Sequence, residues 1–164
     1  MVDIETMGTR PGSVILSIGA VEFDHTGILS EFYVKIDKED AIRRGFTVDD
    51  TTLAWWNKQD QAVREEAFSG TTGILDGLTQ FCEFAHGCCL WGNGSDFDNV
   101  LILAGLELVE YPPSWFFYNH RCYRTVKSLW PKIKIDRTGS HHNALDDARS
   151  QALHLIQILN TIRA

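Results

Sequence analysis

The feature that most constrains this chain is a change of hydrophobic period partway along it. Val14 to Phe23 (VILSIGAVEF) is a continuous β-branched and apolar run, and a second extended run, Glu31 to Ile36, follows the His25-Thr26-Gly27 turn signal. Together they predict an antiparallel hairpin. The short Met1 to Ile4 piece ahead of it also reads as extended. From Asp49 onward apolar residues recur at helical spacing. Asp50 or Thr51 can cap a helix through Leu53, Trp55 and Trp56, a second helix fits Gln61 to Phe68, and Ile74, Leu75, Leu78, Phe81, Cys82 and Phe84 mark a third. The run Cys88 to Trp91 reads as a strand ending in the Gly92-Asn93-Gly94 turn, and Val100, Leu101, Ala104 and Leu108 continue as a helix. Trp115 to Tyr118 reads as a strand, Arg121 to Trp130 as a short helix, and about Asn143 to Ile162 as a last amphipathic helix. A hairpin followed by alternating helices and strands predicts an α/β fold: a mixed central sheet of about five strands with helices on both faces.

No repeat, low-complexity tract or linker divides residues 1–164, so a single domain is expected. With 44% apolar residues and 18.6 kDa, a folded surface of roughly 8,200 Å² is expected, enough burial for a core without staples. Cys82, Cys88, Cys89 and Cys122 form no C-x-x-C motif, which predicts buried thiols and neither a zinc site nor a disulfide framework. No apolar run reaches membrane-spanning length, and acids stand near the N-terminus where a secretion signal needs basic and then apolar residues. A cytoplasmic protein with no membrane partner is expected. The net charge of −7 disfavours a protein that coats duplex nucleic acid by bulk electrostatics.

Three acidic clusters fall at the strand ends and helix starts where catalytic groups gather in such sheets. Strand alternation places Asp3 and Glu5 on one face, about 7 Å apart along the chain. In Asn93-Gly94-Ser95-Asp96-Phe97-Asp98, Asp96 is placed as a helix N-cap and Asp98 projects from the first turn. In His142-Asn143-Ala144-Leu145-Asp146-Asp147, both acids lie about 130° from the centre of the apolar stripe, so helix geometry alone does not choose between them.

Taken together the three clusters resemble the DEDDh 3′-to-5′ exonucleases, a family on the ribonuclease H-like fold. Its pattern of D-x-E, a later F-D pair and H-x-A-x-x-D is matched in order by Asp3-Ile4-Glu5, Phe97-Asp98 and His142 to Asp147. Gly19-Ala20-Val21-Glu22-Phe23 also has the family's look, and Trp55-Trp56 with Trp91-Gly92-Asn93-Gly94 resembles the ribonuclease T-like exoribonuclease branch, whose members are often homodimers. Two features depart from the pattern: fewer residues precede Asp3 than in most relatives, and one extra residue stands between Asn93 and Phe97, which keeps Asp96 open as an alternative to Asp98.

The resemblance implies Asp3, Glu5, Asp98 and Asp147 as ligands of two Mg²⁺ or Mn²⁺ ions, and selects Asp147 over Asp146 and His142 over His141. His142 would be the general base, while Glu5 and the Thr6 backbone would meet the terminal 3′ hydroxyl. The implied activity is metal-dependent removal of nucleoside 5′-monophosphates from the 3′ ends of single-stranded RNA or DNA, with RNA favoured. Arg121, Arg124, Lys127, Lys132, Lys134 and Arg137, with Tyr123 and Trp130 interleaved, form the one dense basic segment, and Arg121 and Arg124 are the expected phosphate contacts. An internally cutting ribonuclease H-like nuclease and a silent nucleic-acid-binding module are the alternatives.

Overall fold

The computed structural model describes residues 1–94, 96–137 and 142–163. Strands β1 (Val2–Thr6), β2 (Ile15–Phe23) and β3 (Ile28–Lys35) form an antiparallel sheet in that order. The middle strand β2 is buried along its first seven residues. This is why it reads as a continuous apolar run with no alternation. Its register sets Asp3 opposite Gly19 and Glu5 opposite Ser17, and cross-strand partners share a face.

Helices α1 (Lys38–Arg43), α2 (Asp50–Trp56), α3 (Gln61–Ala67) and α4 (Ile74–Phe84) follow, and α1 has no counterpart in the sequence reading. The cap of α2 is Asp49, one residue before the expected Asp50 or Thr51. Its Oδ1 accepts the N–H groups of Thr51 at 2.7 Å and Thr52 at 3.3 Å, from an extended backbone that Asp50, already helical, does not have.

The second half supplies β4 (Leu90–Gly92), α5 (Asp98–Leu108), β5 (His120–Cys122), α6 (Tyr123–Leu129) and α7 (Ala144–Arg163). Strands β4 and β5 pair in parallel, with Gly92 opposite Cys122. The strand expected at Trp115 to Tyr118 lies further on, at His120–Cys122. Trp115 is buried and its indole N–H donates to His120 at 2.9 Å, while Phe116, Phe117 and Tyr118 all face solvent around a 3₁₀ turn. A run with no inside and outside alternation has nothing to fix it in a sheet.

Five strands are thus present among the described residues, in a three-stranded and a two-stranded ladder with β1 beside β4. The backbone N–H of Ile4, a ladder donor on β1, is taken instead by the Asp98 carboxylate. Helix α7 packs on one face of the first sheet through Val21, Ala148, Ala152 and Leu155, and α4 and α5 cover the other through Ile18, Val34, Leu78 and Leu101. The folded surface is 8640 Å², close to the value expected from mass. No disulfide joins the cysteines, but of the four only Cys82 is buried, so the expectation of four buried thiols holds for that one alone.

Candidate active site

The site is built where α7 meets β1. A Cβ at Gly19 would lie 2.2 Å from the backbone carbon of Ala144 and the backbone nitrogen of Leu145, so only glycine lets the first turn of α7 rest directly on β2. Ala144, Ala148 and Ala152, all fully buried, continue the close approach along the helix. This seating brings Asp147 over the face of the sheet that carries Asp3 and Glu5. One carboxylate oxygen from each of Asp3, Glu5 and Asp147 lies within 4.8 Å of the others.

Asp146, left equal with Asp147 by helix geometry, goes elsewhere. It accepts from Arg149 at 2.7 Å, and the same guanidinium makes a two-pronged contact with Glu31 on β3 at 2.7 and 2.6 Å. The partner on the neighbouring strand therefore separates the two acids, a contact invisible to periodicity. Asp96 is exposed and does not cap α5; the cap position is Phe97, with no side-chain hydrogen bond. Asp98, expected to project, is instead buried and accepts from the N–H of Asn93 at 3.1 Å and of Ile4. The acid that satisfies the turn's donors is thus the inward one.

Electrostatics follow from burial. Burial, with the charges of Asp98 and Glu5 beside it, holds Asp3 well above the usual carboxylate range, although a hydrogen bond from Gln151 Nε2 at 2.8 Å opposes the shift. Burial and the charges of Asp147 and Asp98 push Glu5 up to about 8. Burial pushes Asp98 up to about 7, against the pull of its backbone donors and Arg124. Three acids, Asp3, Glu5 and Asp98, that resist ionisation chiefly because they are removed from water make a site that binds either protons or cations. The donor set is all oxygen at its core, and the buried Gln151 Oε1 and Asn93 Oδ1 at its edge have no partner among the described residues. These residues fit a hard divalent ion.

His142, two residues before α7, holds a left-handed backbone with φ +63°. Its ring sits edge-on to Trp55 at 4.9 Å and to Trp56 at 6.3 Å between centroids. Trp56 is buried and its indole N–H donates to the Thr6 carbonyl at 2.8 Å, so the histidine is referenced through two rings to the strand that bears Glu5. His141 lies outside the described residues. Beside Glu5 a cavity of about 400 Å³ is lined by Ile4, Thr6, Thr9, Thr51, Thr52, Trp55, Trp56 and Phe97.

In the basic segment, Arg124 Nη2 donates to the Asn93 carbonyl at 2.6 Å, beside the acids. Arg121 Nη1 turns back on the carbonyls of Tyr118 and His120 at 2.7 and 2.9 Å. Arg137 Nη1 donates to Asp147 Oδ1 at 2.7 Å. Gln151 was not expected from sequence, although its i+4 spacing from Asp147 puts it on the same helix face and could have signalled it.

Three solved structures share this architecture. The nuclease domain of 3′hExo, a DEDDh family member bound to rAMP, superposes with a TM-score of 0.62 at 15% identity over 98% of this chain and 90% of that one. Exonuclease X in complex with 5′ overhanging duplex DNA gives 0.60 at 21% identity over 99% and 92%, and a full-length 3′-exonuclease gives 0.58 at 18% over 98% and 80%. These are likenesses of fold, and they bear out the expected ribonuclease H-like α/β class. No curated protein sequence matches the chain. None of the described helices is long and apolar enough to cross a membrane. The family model for the Rv2179c-like 3′-5′ exoribonuclease domain matches residues 1–159, so the chain belongs to that family and is a 3′-to-5′ exonuclease.

Proposed function

We propose that this enzyme removes nucleoside 5′-monophosphates one at a time from the 3′ end of single-stranded nucleic acid, RNA in preference to DNA, with two Mg²⁺ or Mn²⁺ ions and a histidine base. The observation that carries the reading is the convergence of Asp3, Glu5 and Asp147 within 4.8 Å, with the buried Asp98 alongside. The exoribonuclease description of the family supports the RNA preference. Asp3, Glu5, Asp98 and Asp147 hold the ions, which when bound lower the pKa of the attacking water and stabilise the leaving oxygen.

The chain's own groups do the rest. The terminal base lies in the cavity between Trp55, Trp56 and Phe97, where aromatic faces accept any base. Glu5 and the Thr6 backbone meet the 3′ hydroxyl, which admits chain ends and excludes internal positions. Arg124, steadied by the Asn93 carbonyl, is placed for a phosphate on the Asp98 side. His142 takes a proton from the water as its oxygen bonds to phosphorus, the bond from phosphorus to the preceding 3′ oxygen breaks, and that oxygen is protonated on leaving. Its packing on Trp55 and Trp56 supports this role by orienting the ring.

The test is digestion of 5′-labelled and 3′-labelled RNA and DNA oligonucleotides, and of a single-stranded RNA circle, with Mg²⁺, Mn²⁺ or chelator. The expected result is immediate release of label as mononucleotide from 3′-labelled RNA, a descending ladder from 5′-labelled RNA, slower DNA digestion and an intact circle. A cleaved circle would identify an internal nuclease, and inertness with both metals a silent binding module.

A further inference from the structure

Two arginines bracket the acid cluster, and they are held differently. Arg124 stands at the Asp98 end, fixed by a backbone carbonyl. Arg137 stands at the Asp147 end and touches a carboxylate of the cluster itself, Nη1 to Oδ1 at 2.7 Å. The Asp147 side chain is 18% exposed and that of Arg137 is 51% exposed, so the guanidinium reaches the half-buried acid from the solvent side. It holds the same carboxylate that brings an oxygen within 4.8 Å of Asp3 and Glu5, the group that a cation shared by the three acids would also use. A guanidinium on Asp147 and a divalent ion beside it compete for lone pairs and repel across a few ångströms. Displaced only slightly, the same planar fork faces the rim of the cluster, where the phosphate of a chain end must come to meet the acids, and its paired donors match phosphate oxygens.

We infer that Arg137 balances Asp147 while the cluster holds no divalent ion, and that ion binding turns its guanidinium to the substrate phosphate, so that one side chain couples metal loading to phosphate recognition. This rests on the metal-centre reading above. Arg137 is thereby a phosphate-binding residue in the loaded enzyme and a competitor of the metal in the empty one.

The test is calorimetry on the full chain freed of metal, comparing the parent with Arg137→Gln and Arg137→Lys. Mn²⁺ is titrated first, then AMP as the phosphate probe at saturating Mn²⁺, with unfolding curves to verify that each variant is folded. Arg137→Gln is expected to bind Mn²⁺ about three- to tenfold tighter than the parent, the release of a partly buried charged pair, and to bind AMP about tenfold more weakly. Arg137→Lys should stay near the parent for Mn²⁺ and fall between the two for AMP. Equal or weaker Mn²⁺ affinity in Arg137→Gln, or unchanged AMP affinity, would overturn the inference. A flat Mn²⁺ titration of the parent would instead remove the metal-centre reading, and this coupling with it.

Discussion

Adding one methyl group at Gly19 should damage this enzyme in a way that no compensating side-chain deletion repairs. The Cβ of Gly19→Ala would stand 2.2 Å from the backbone of Ala144 and Leu145. Carbon contacts are comfortable at about 3.5 to 4.0 Å, so the first turn of α7 must retreat by roughly 1.5 Å or the strand must bend away. Such overpacking costs about 1–3 kcal/mol, a fall in Tm of about 2 to 12 °C for a chain of this size. The greater loss is in rate, because Asp147 rides on that turn and a displacement of about 1 Å at a catalytic group costs on the order of 10². Ala144→Gly should not rescue the variant, since the clash is with backbone. Gly77→Ala provides the contrast: its Cβ meets Ile36 Cδ1 at 2.2 Å, with the next atoms at 3.7 Å, so Ile36→Val clears the space. The helix gains about 1 kcal/mol from alanine and the truncation costs about 0.5–1.5 kcal/mol, which leaves the double variant within about 1 kcal/mol of the parent. Thermal unfolding and oligonucleotide turnover of the four variants decide the matter. Parent-like turnover and Tm in Gly19→Ala, or full rescue by Ala144→Gly, would refute the seating of α7 described above.

Without metal, stability should fall as pH rises from about 5 to 8: Glu5 and Asp98, with folded pKa values of about 8 and 7, stay protonated while their unfolded counterparts ionise, so the folded state holds more protons. Thermal melts in chelator should show Tm declining across that window and levelling above it, Mn²⁺ should remove the decline, and a Tm flat or rising with pH in chelator would count against the buried acids. Glu5→Gln should abolish turnover yet raise the chelator-treated Tm at pH 8, since a neutral amide carries no ionisation penalty. His142→Ala should lower turnover by roughly 10² to 10⁴ with Mn²⁺ affinity nearly unchanged in calorimetry. Gln151→Ala, which removes the donor to Asp3, should weaken Mn²⁺ binding by about tenfold, and unchanged affinity would show that Asp3 is oriented without it.

What could be read from sequence was what repeats along one element. The hairpin, α4 and α7 announce themselves by period, and the placement of Asp3 and Glu5 on one face follows from strand alternation alone. What could not be read depends on a neighbour supplied from elsewhere in the chain. Asp146 and Asp147 are equivalent on a helical wheel and are told apart by Arg149 reaching Glu31 on β3. Asp96 has the better cap spacing, yet Asp98 is drawn inward by N–H groups of Asn93 and of Ile4 on a distant strand. Arg137 looks like one cation among six in a basic segment, and only the fold brings it to Asp147. The displaced fifth strand has a local cause, since Phe116, Phe117 and Tyr118 are strand-forming residues held outside the sheet by a turn.

The bond from Gln151 to Asp3 joins residues 148 positions apart, and this has a bearing on synthesis. A chain emerging at about 5–20 residues per second folds from its N-terminal side first, so the antiparallel sheet can form while the acid cluster still lacks Asp147. Until α7 has been made and has settled on Gly19, the nascent protein has at most three of the four carboxylates, Asp3, Glu5 and Asp98. The acid cluster is therefore completed from the far side of the sequence, when α7 brings Asp147 to the sheet that already carries Asp3 and Glu5.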